Sequence, residues 1–250
     1  SYHWLFSGTV IGFLVSALLV WSAVFPSFTR PANTRPFLQR VTRGSRIYLA
    51  PPRLRGLLAL NMAAASVIAF VLVNTVVMVR DHFGMGEAQV AYAMAAFGAG
   101  AMLAALAIPT LLDHVSERAV MVPAALVLTL ASLVHAGLLL GGLQPNWPIF
   151  LLFWGLSGAL FSTILTPSGR LLSRSANTPD RPAIFTAQFA LSHACWLVTY
   201  PLAGWAGTLL GLPWTMVLLG LVGLASVLAA RLVWPASSED NPRHGHPELA

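Results

Sequence analysis

Residues 185–200, FTAQFALSHACWLVTY, decide how the chain is read. The stretch lies inside a long apolar run, yet it carries Gln188, Ser192, His193, Cys195, Trp196, Thr199 and Tyr200. On helical spacing Gln188, Ser192, Cys195 and Thr199 fall at i, i+4, i+7 and i+11, and Phe189, His193, Trp196 and Tyr200 repeat that pattern one position on. The two stripes make one wide polar and aromatic face. Hydrocarbon offers such a face no hydrogen-bond partners, so it is expected to turn toward protein or a water-filled cavity. A solute handled by this chain is expected to touch Gln188, Ser192, His193, Cys195, Trp196 and Tyr200.

The composition places that stretch in a membrane protein. Hydrophobic residues make up 57% and charged residues 9% of the 250, far from the balance of soluble globular chains. Runs of about 20 apolar residues suffice to cross a bilayer core. Seven are visible, at 3–25, 56–79, 87–112, 119–141, 147–169, 183–206 and 212–234. The 14 basic side chains are all Arg, so Schiff-base chemistry on Lys is excluded. Cys195 is the only cysteine, which removes an internal disulfide, and no Cys/His spacing of zinc-site type occurs. There is no Gly-x-x-x-x-Gly-Lys phosphate loop. These absences point away from an enzyme and from any cofactor.

Arginine placement orients the spans. The segment 26–55 holds Arg30, Arg35, Arg40, Arg43, Arg46, Arg53 and Arg55 and no acid, so the positive-inside rule puts it in the cytoplasm. Alternation then places every arginine except Arg80 on that side, together with a polar tail, 235–250, expected to be disordered. The net charge of +6 is thereby assigned to membrane orientation and not to nucleic acid. Within the linker, Phe37, Leu38, Val41, Ile47, Tyr48 and Leu49 alternate with Arg40, Arg43 and Arg46. That pattern fits either a basic amphipathic helix on the inner leaflet or a plain connector.

Along the rest of the chain, Gly8 and Gly12 have the GxxxG spacing that admits a neighbouring helix. Asn61 and Asn74 are intramembrane amides, read as interhelical hydrogen bonds or as solute contacts. The third span, AYAMAAFGAGAMLAALAIP (91–109), presents Gly98 and Gly100 for close helix crossing. The fifth, WGLSGALFSTILTPSGR (154–170), has a small-residue face suited to packing and a Pro-Ser-Gly end suited to bending. His193 is a proton carrier, a soft-cation ligand or the donor of one fixed hydrogen bond. Between the third and fourth spans, Asp113, Glu117 and Arg118 are expected to form a turn-spanning charge network that favours one conformational state, or else weak solvated ion pairs.

The small-residue helix running into LLDHVSERAVM (111–121) resembles the cytoplasmic signature of the major facilitator superfamily, a Gly-x-x-x-Asp-Arg-x-Gly-Arg-type turn. Asp113 and Arg118 match its acid and later base. His114 stands where the first base is expected, Glu117 where a small or basic residue would be, and Pro109 where Gly is usual. Residues 40–61, RVTRGSRIYLAPPRLRGLLALN, resemble the central-loop junction of the subfamily that includes the enterobactin exporter.

The resemblance implies an all-α integral membrane fold of seven transmembrane helices. Residues 1–25 would be the sixth helix of a twelve-helix parent and 26–55 a cytoplasmic basic linker. Residues 56–234 would be the C-terminal six-helix bundle, built as two inverted three-helix repeats. It also implies alternating-access export of a small molecule from the bacterial inner membrane, with a missing N-terminal half as partner. Two rivals stand beside this reading. The count of seven fits a membrane receptor, and His244 with His246 in the tail suggests a nickel or cobalt exporter of the same superfamily.

Overall fold

The computed structural model describes residues 2–22, 37–143, 145–175 and 177–234. Residues 26–36 of the expected linker and the tail with His244 and His246 lie outside the described residues. Helix α1 (Tyr2–Ser22) belongs to a unit of its own. Its Ser16 and Ser22 hydroxyls donate to the Gly12 and Leu19 carbonyls of the same helix, each at 2.9 Å. Apolar surroundings leave hydroxyls that solution.

The second unit contains α2 (Phe37–Leu49), α3 (Pro52–Val77), α4 (Glu87–Leu111), α5 (Glu117–Leu140), α6 (Trp147–Leu165), α7 (Ser168–Ser175), α8 (Arg181–Leu210) and α9 (Leu212–Val233). Among the described residues every regular element is helical. The boundaries follow local chemistry. Pro52 opens α3, and the helix runs on through a π-turn, Met78–His82, that Gly84 ends at φ 64°. Ser116 caps α5 by accepting from the Ala119 amide at 3.4 Å, and Asn146 caps α6 by accepting from Ile149 at 3.2 Å. Pro167 falls in the break between α6 and α7, since proline cannot donate to a helix ladder. Gly211 at φ 79° both ends α8 and opens α9, a conformation costly for any residue with a Cβ.

Five helices are long and apolar enough to cross a bilayer: α3 with its π-turn (Pro52–His82), α4, α5, α6 with α7 (Trp147–Ser175), and α9. The expected seven are therefore matched in part. Helix α1 has 21 residues, of which Ser7–Ser22 form its described apolar portion. Helix α8 has 30 residues, ample length, but Gln188, Ser192, His193, Thr199 and Tyr200 dilute its hydropathy.

Helix α3 is the hub. Its side chains are buried almost continuously from Leu54 to Val71, and it packs on α5, α6, α8 and α9. Helix α4 leans chiefly on α6, where glycine is a geometric requirement. A Cβ on Gly100 would meet the Gly155 carbonyl oxygen at 1.9 Å, and one on Gly158 would meet that of Phe97 at 1.9 Å. Gly98 has nothing within 4 Å of such a Cβ, so Gly100, and not Gly98, makes the expected crossing.

Candidate functional site

The 3.6-residue repeat divides the α8 stripe between two environments. Ile184, Ala187, Cys195, Thr199 and Ala203 are buried; the side of α8 they mark is packed, chiefly against α3. Cys195 donates to the Leu191 carbonyl of its own turn at 3.4 Å. One position on, 100° further round, Phe189, His193 and Tyr200 are exposed and Trp196 is half-buried. The expected single face is thus a buried seam beside an open one, and Cys195 belongs to the seam.

The open face has a definite arrangement. His193 Nδ1 lies 2.7 Å from the Phe189 carbonyl. A carbonyl only accepts, so Nδ1 carries the proton and Nε2 is the basic nitrogen. The hydrogen bond runs along the helix instead of to a neighbour. The Phe189 ring lies over the imidazole, centroids 4.0 Å apart. Trp196 stacks obliquely on Tyr200 at 5.0 Å and meets Phe161 of α6 edge-on at 6.1 Å, and Phe161 meets Phe97 of α4 at 6.0 Å. An aromatic row therefore crosses α8, α6 and α4. Phe161 and Phe97 escape a reading of single helices, because each sits among small residues whose evident role is packing. Ser192 is half-buried and donates to the Phe189 carbonyl at 3.0 Å.

At the arginine-rich end, Gln188 is held by α2. Its side-chain oxygen accepts from the Tyr48 hydroxyl, Arg43 pairs with Asp180 at 2.9 Å, and a Cβ on Gly44 would lie 2.8 Å from the Ala183 carbonyl oxygen. The basic linker stretch is a helix, as one of its two readings requires, but its Gly44 and Tyr48 face docks on α8 instead of lipid. Tyr48 is fully buried, and burial holds its hydroxyl well above the ordinary value of 10.0.

The amides divide likewise. Asn74 donates to the Ala203 carbonyl of α8 at 3.2 Å, the interhelical bond its position suggests, whereas Asn61 donates to Leu57 of its own helix at 3.0 Å. Asn74 also lines a pocket of about 410 Å³ between the far ends of α3 and α8, with Asp81, His82, Gly207 and Thr208. Nearby in the bundle, His135 is 0% exposed, caged by Phe150, Phe153 and Trp154. Neither ring nitrogen has a hydrogen-bond partner among the described residues. His135, and not the exposed His193, is therefore the deeply buried imidazole.

The expected charge network forms with other partners. Glu117, its side chain 6% exposed, accepts from Arg170 at 3.0 Å and from Arg174 at 3.1 Å, and Asp113 lies 3.7 Å from Arg170. Arg118 instead donates from Nε to the Trp234 carbonyl at the end of α9, at 2.7 Å. The acids of the α4–α5 turn are thus tied to α7 across the bundle, not to the base within the turn. Arg170 and Arg174 stand at i, i+4 just beyond Pro167, which is the sequence signal for a paired basic face. Among the described residues no group of three or more His, Cys, Asp or Glu converges to hold a metal.

A helical bundle with a buried hub, several bilayer-length helices and a partly polar, partly open helix is the frame of a polytopic membrane transporter. The family model of the Major Facilitator Superfamily matches residues 56–249, and the chain belongs to that superfamily. No curated protein and no solved structure gives a significant match.

Proposed function

We propose that the chain is one bundle of a secondary active transporter that exports a small molecule by alternating access. The observation that carries this reading is the open face of α8. It sets the His193 imidazole and the Trp196–Tyr200 pair beside Phe161, a polar group and an aromatic row at one side of a membrane helix. Such a row suits a planar, partly apolar solute, with a second wall supplied by an N-terminal half. Membership in the superfamily favours this over a seven-helix receptor.

On this reading α1 is the sixth of twelve helices and the arginine-rich side is cytoplasmic in a bacterial inner membrane. Helices α3 to α9 form two inverted three-helix repeats. Pairwise packing supports the repeat. Exchanging α3 with α6, α4 with α8 and α5 with α9 converts the α4–α6 contact into α8–α3 and the α5–α6 contact into α9–α3, and all four are extensive. The stretch 40–61 supports kinship with the enterobactin-exporter subfamily. The Glu117–Arg170–Arg174 cluster is the gating latch of the cytoplasmic side.

The test is transport into proteoliposomes under an imposed pH gradient or potential. His193→Ala and Gln188→Ala should impair uptake more than Ser157→Ala or Ser162→Ala. Equal effects of the two groups would show that α8 is the wrong helix. Five further hydrophobic spans encoded upstream would support the twelve-helix parent; a start codon directly before Ser1 would argue against it.

A further inference from the structure

Helices α5 and α9 touch closely at mid-length. A Cβ on Gly223 would sit 2.6 Å from Thr129 Cγ2, and one on Gly220 would sit 2.6 Å from Leu133 Cδ2. Toward the arginine-rich end, beginning within one turn of Thr129, a groove of about 270 Å³ is lined by Arg118, Ala119, Val122, Pro123, Leu126 and Arg231. The α5 side spans positions 118 to 126, about 12 Å of helix, and everything between the two arginines is apolar. We infer that this groove holds an anionic phospholipid of the leaflet facing the arginine-rich side, one acyl chain along Val122, Pro123 and Leu126 and the phosphate between Arg118 and Arg231.

Charge complementarity selects that occupant. Arg118 is fixed at the mouth by its Nε bond to the Trp234 carbonyl. Arg231 is exposed and makes no ion pair among the described residues. Arg118 lies in the first turn of α5, where the helix dipole favours an anion. The acid next to Arg118 in sequence, Glu117, is engaged by Arg170 and Arg174. An uncharged lipid would fill the apolar part and leave the arginines unmatched, and a zwitterionic one would offer its phosphate but offset that charge with its own ammonium group, leaving two arginines facing no net negative charge. A free phosphate would satisfy the arginines and leave the apolar walls wet. Basic pockets between membrane helices near the interface select anionic headgroups in this way.

The experiment is native mass spectrometry of the full chain released from nanodiscs. These hold equal amounts of phosphatidylglycerol and phosphatidylcholine with identical acyl chains. The expected result is preferential retention of phosphatidylglycerol. Arg231→Gln should lower that preference about fivefold, the equivalent of ~1 kcal/mol for one interfacial arginine. Leu126→Trp should fill the groove and lower retention of either lipid, while millimolar inorganic phosphate should displace none. Arg231 is at the surface, so its variant keeps the test decisive even if Leu126→Trp does not fold. Equal retention of the two lipids, an unchanged preference in Arg231→Gln, or displacement by phosphate would overturn the proposal. So would unaltered retention in a folded Leu126→Trp.

Discussion

Adding one methyl group at Gly100 should loosen α4 from the bundle. The Cβ of an alanine there would sit 1.9 Å from the Gly155 carbonyl oxygen, and ordinary contact begins near 3.4 Å. The obstacle is backbone, so no side chain can swing aside, and the helices must separate by about 1.5 Å or the alanine must distort α4. Overpacking of this kind costs about 1–3 kcal/mol, and α4 has little other anchorage, with only Ala93 and Ile108 buried along its length. For a chain of this size that corresponds to a drop in unfolding midpoint of roughly 3–10 °C. Gly158→Ala should behave alike, because its Cβ would meet the Phe97 carbonyl oxygen at 1.9 Å. Gly98→Ala is the control: the space is empty, and replacing a helical glycine by alanine is favourable by up to about 1 kcal/mol. The assay is thermal unfolding of the three variants in one detergent, followed by tryptophan fluorescence. Indistinguishable midpoints for Gly100→Ala and Gly98→Ala would refute the close crossing.

Other outcomes are equally specific. Glu117→Gln should destabilise the chain by about 1–2 kcal/mol, since it leaves two arginines without their carboxylate, whereas Arg174→Gln, half exposed, should cost under about 1 kcal/mol; a double-mutant cycle in chemical unfolding measures the coupling, and the reverse order of costs would contradict the buried acid. Asn74→Ala should cost about 0.6 kcal/mol, the usual worth of an interhelical hydrogen bond in a membrane, read by denaturant titration. Tyr48, held above its ordinary value of 10.0, stays neutral in the folded chain while its unfolded counterpart ionises. Its stabilisation is therefore complete below pH 10.0 and declines as pH rises beyond it; Tyr48→Phe should flatten that decline in unfolding measured from pH 9 to 11. Deleting residues 235–250 should leave nickel or cobalt binding by isothermal titration unchanged; a loss would bring the His244–His246 reading back.

The placement of five of the seven expected spans was legible because those apolar runs are long and bounded by Gly, Pro or charge, and they match α3, α4, α5, α6 and α9 closely. Ends were less so. Pro52 extends α3 backward to the linker, and the π-turn carries it forward to His82, neither of which alters hydropathy. Helix α8 was legible as polar, but its division into a Cys195–Thr199 seam and a His193–Tyr200 face depends on which side α3 occupies, and that is tertiary information. The acids of the 111–121 turn stood out in the sequence, while their partners Arg170 and Arg174 did not. They lie more than fifty positions away on α7, and arginines at a helix end have a sufficient explanation in membrane orientation. Similarly, nothing local marks Tyr48 as the partner of Gln188 in a helix 140 positions later.

The hub position of α3 bears on how the bundle is made. Synthesis proceeds from the N-terminus, so α3 is delivered to the membrane before α5, α6, α8 and α9, and each newcomer finds a docking partner waiting. Helix α9, made after the other four, has the most to complete. Its closing residue Trp234 packs against Gly56, where a Cβ would be 2.7 Å from the tryptophan Cβ, and its carbonyl takes the Arg118 bond. Emergence of Trp234 is therefore the event that locks the start of α3 and the first turn of α5 together. A nascent chain arrested before Trp234 should remain an open sheaf of helices, vulnerable to the quality-control proteases of the membrane.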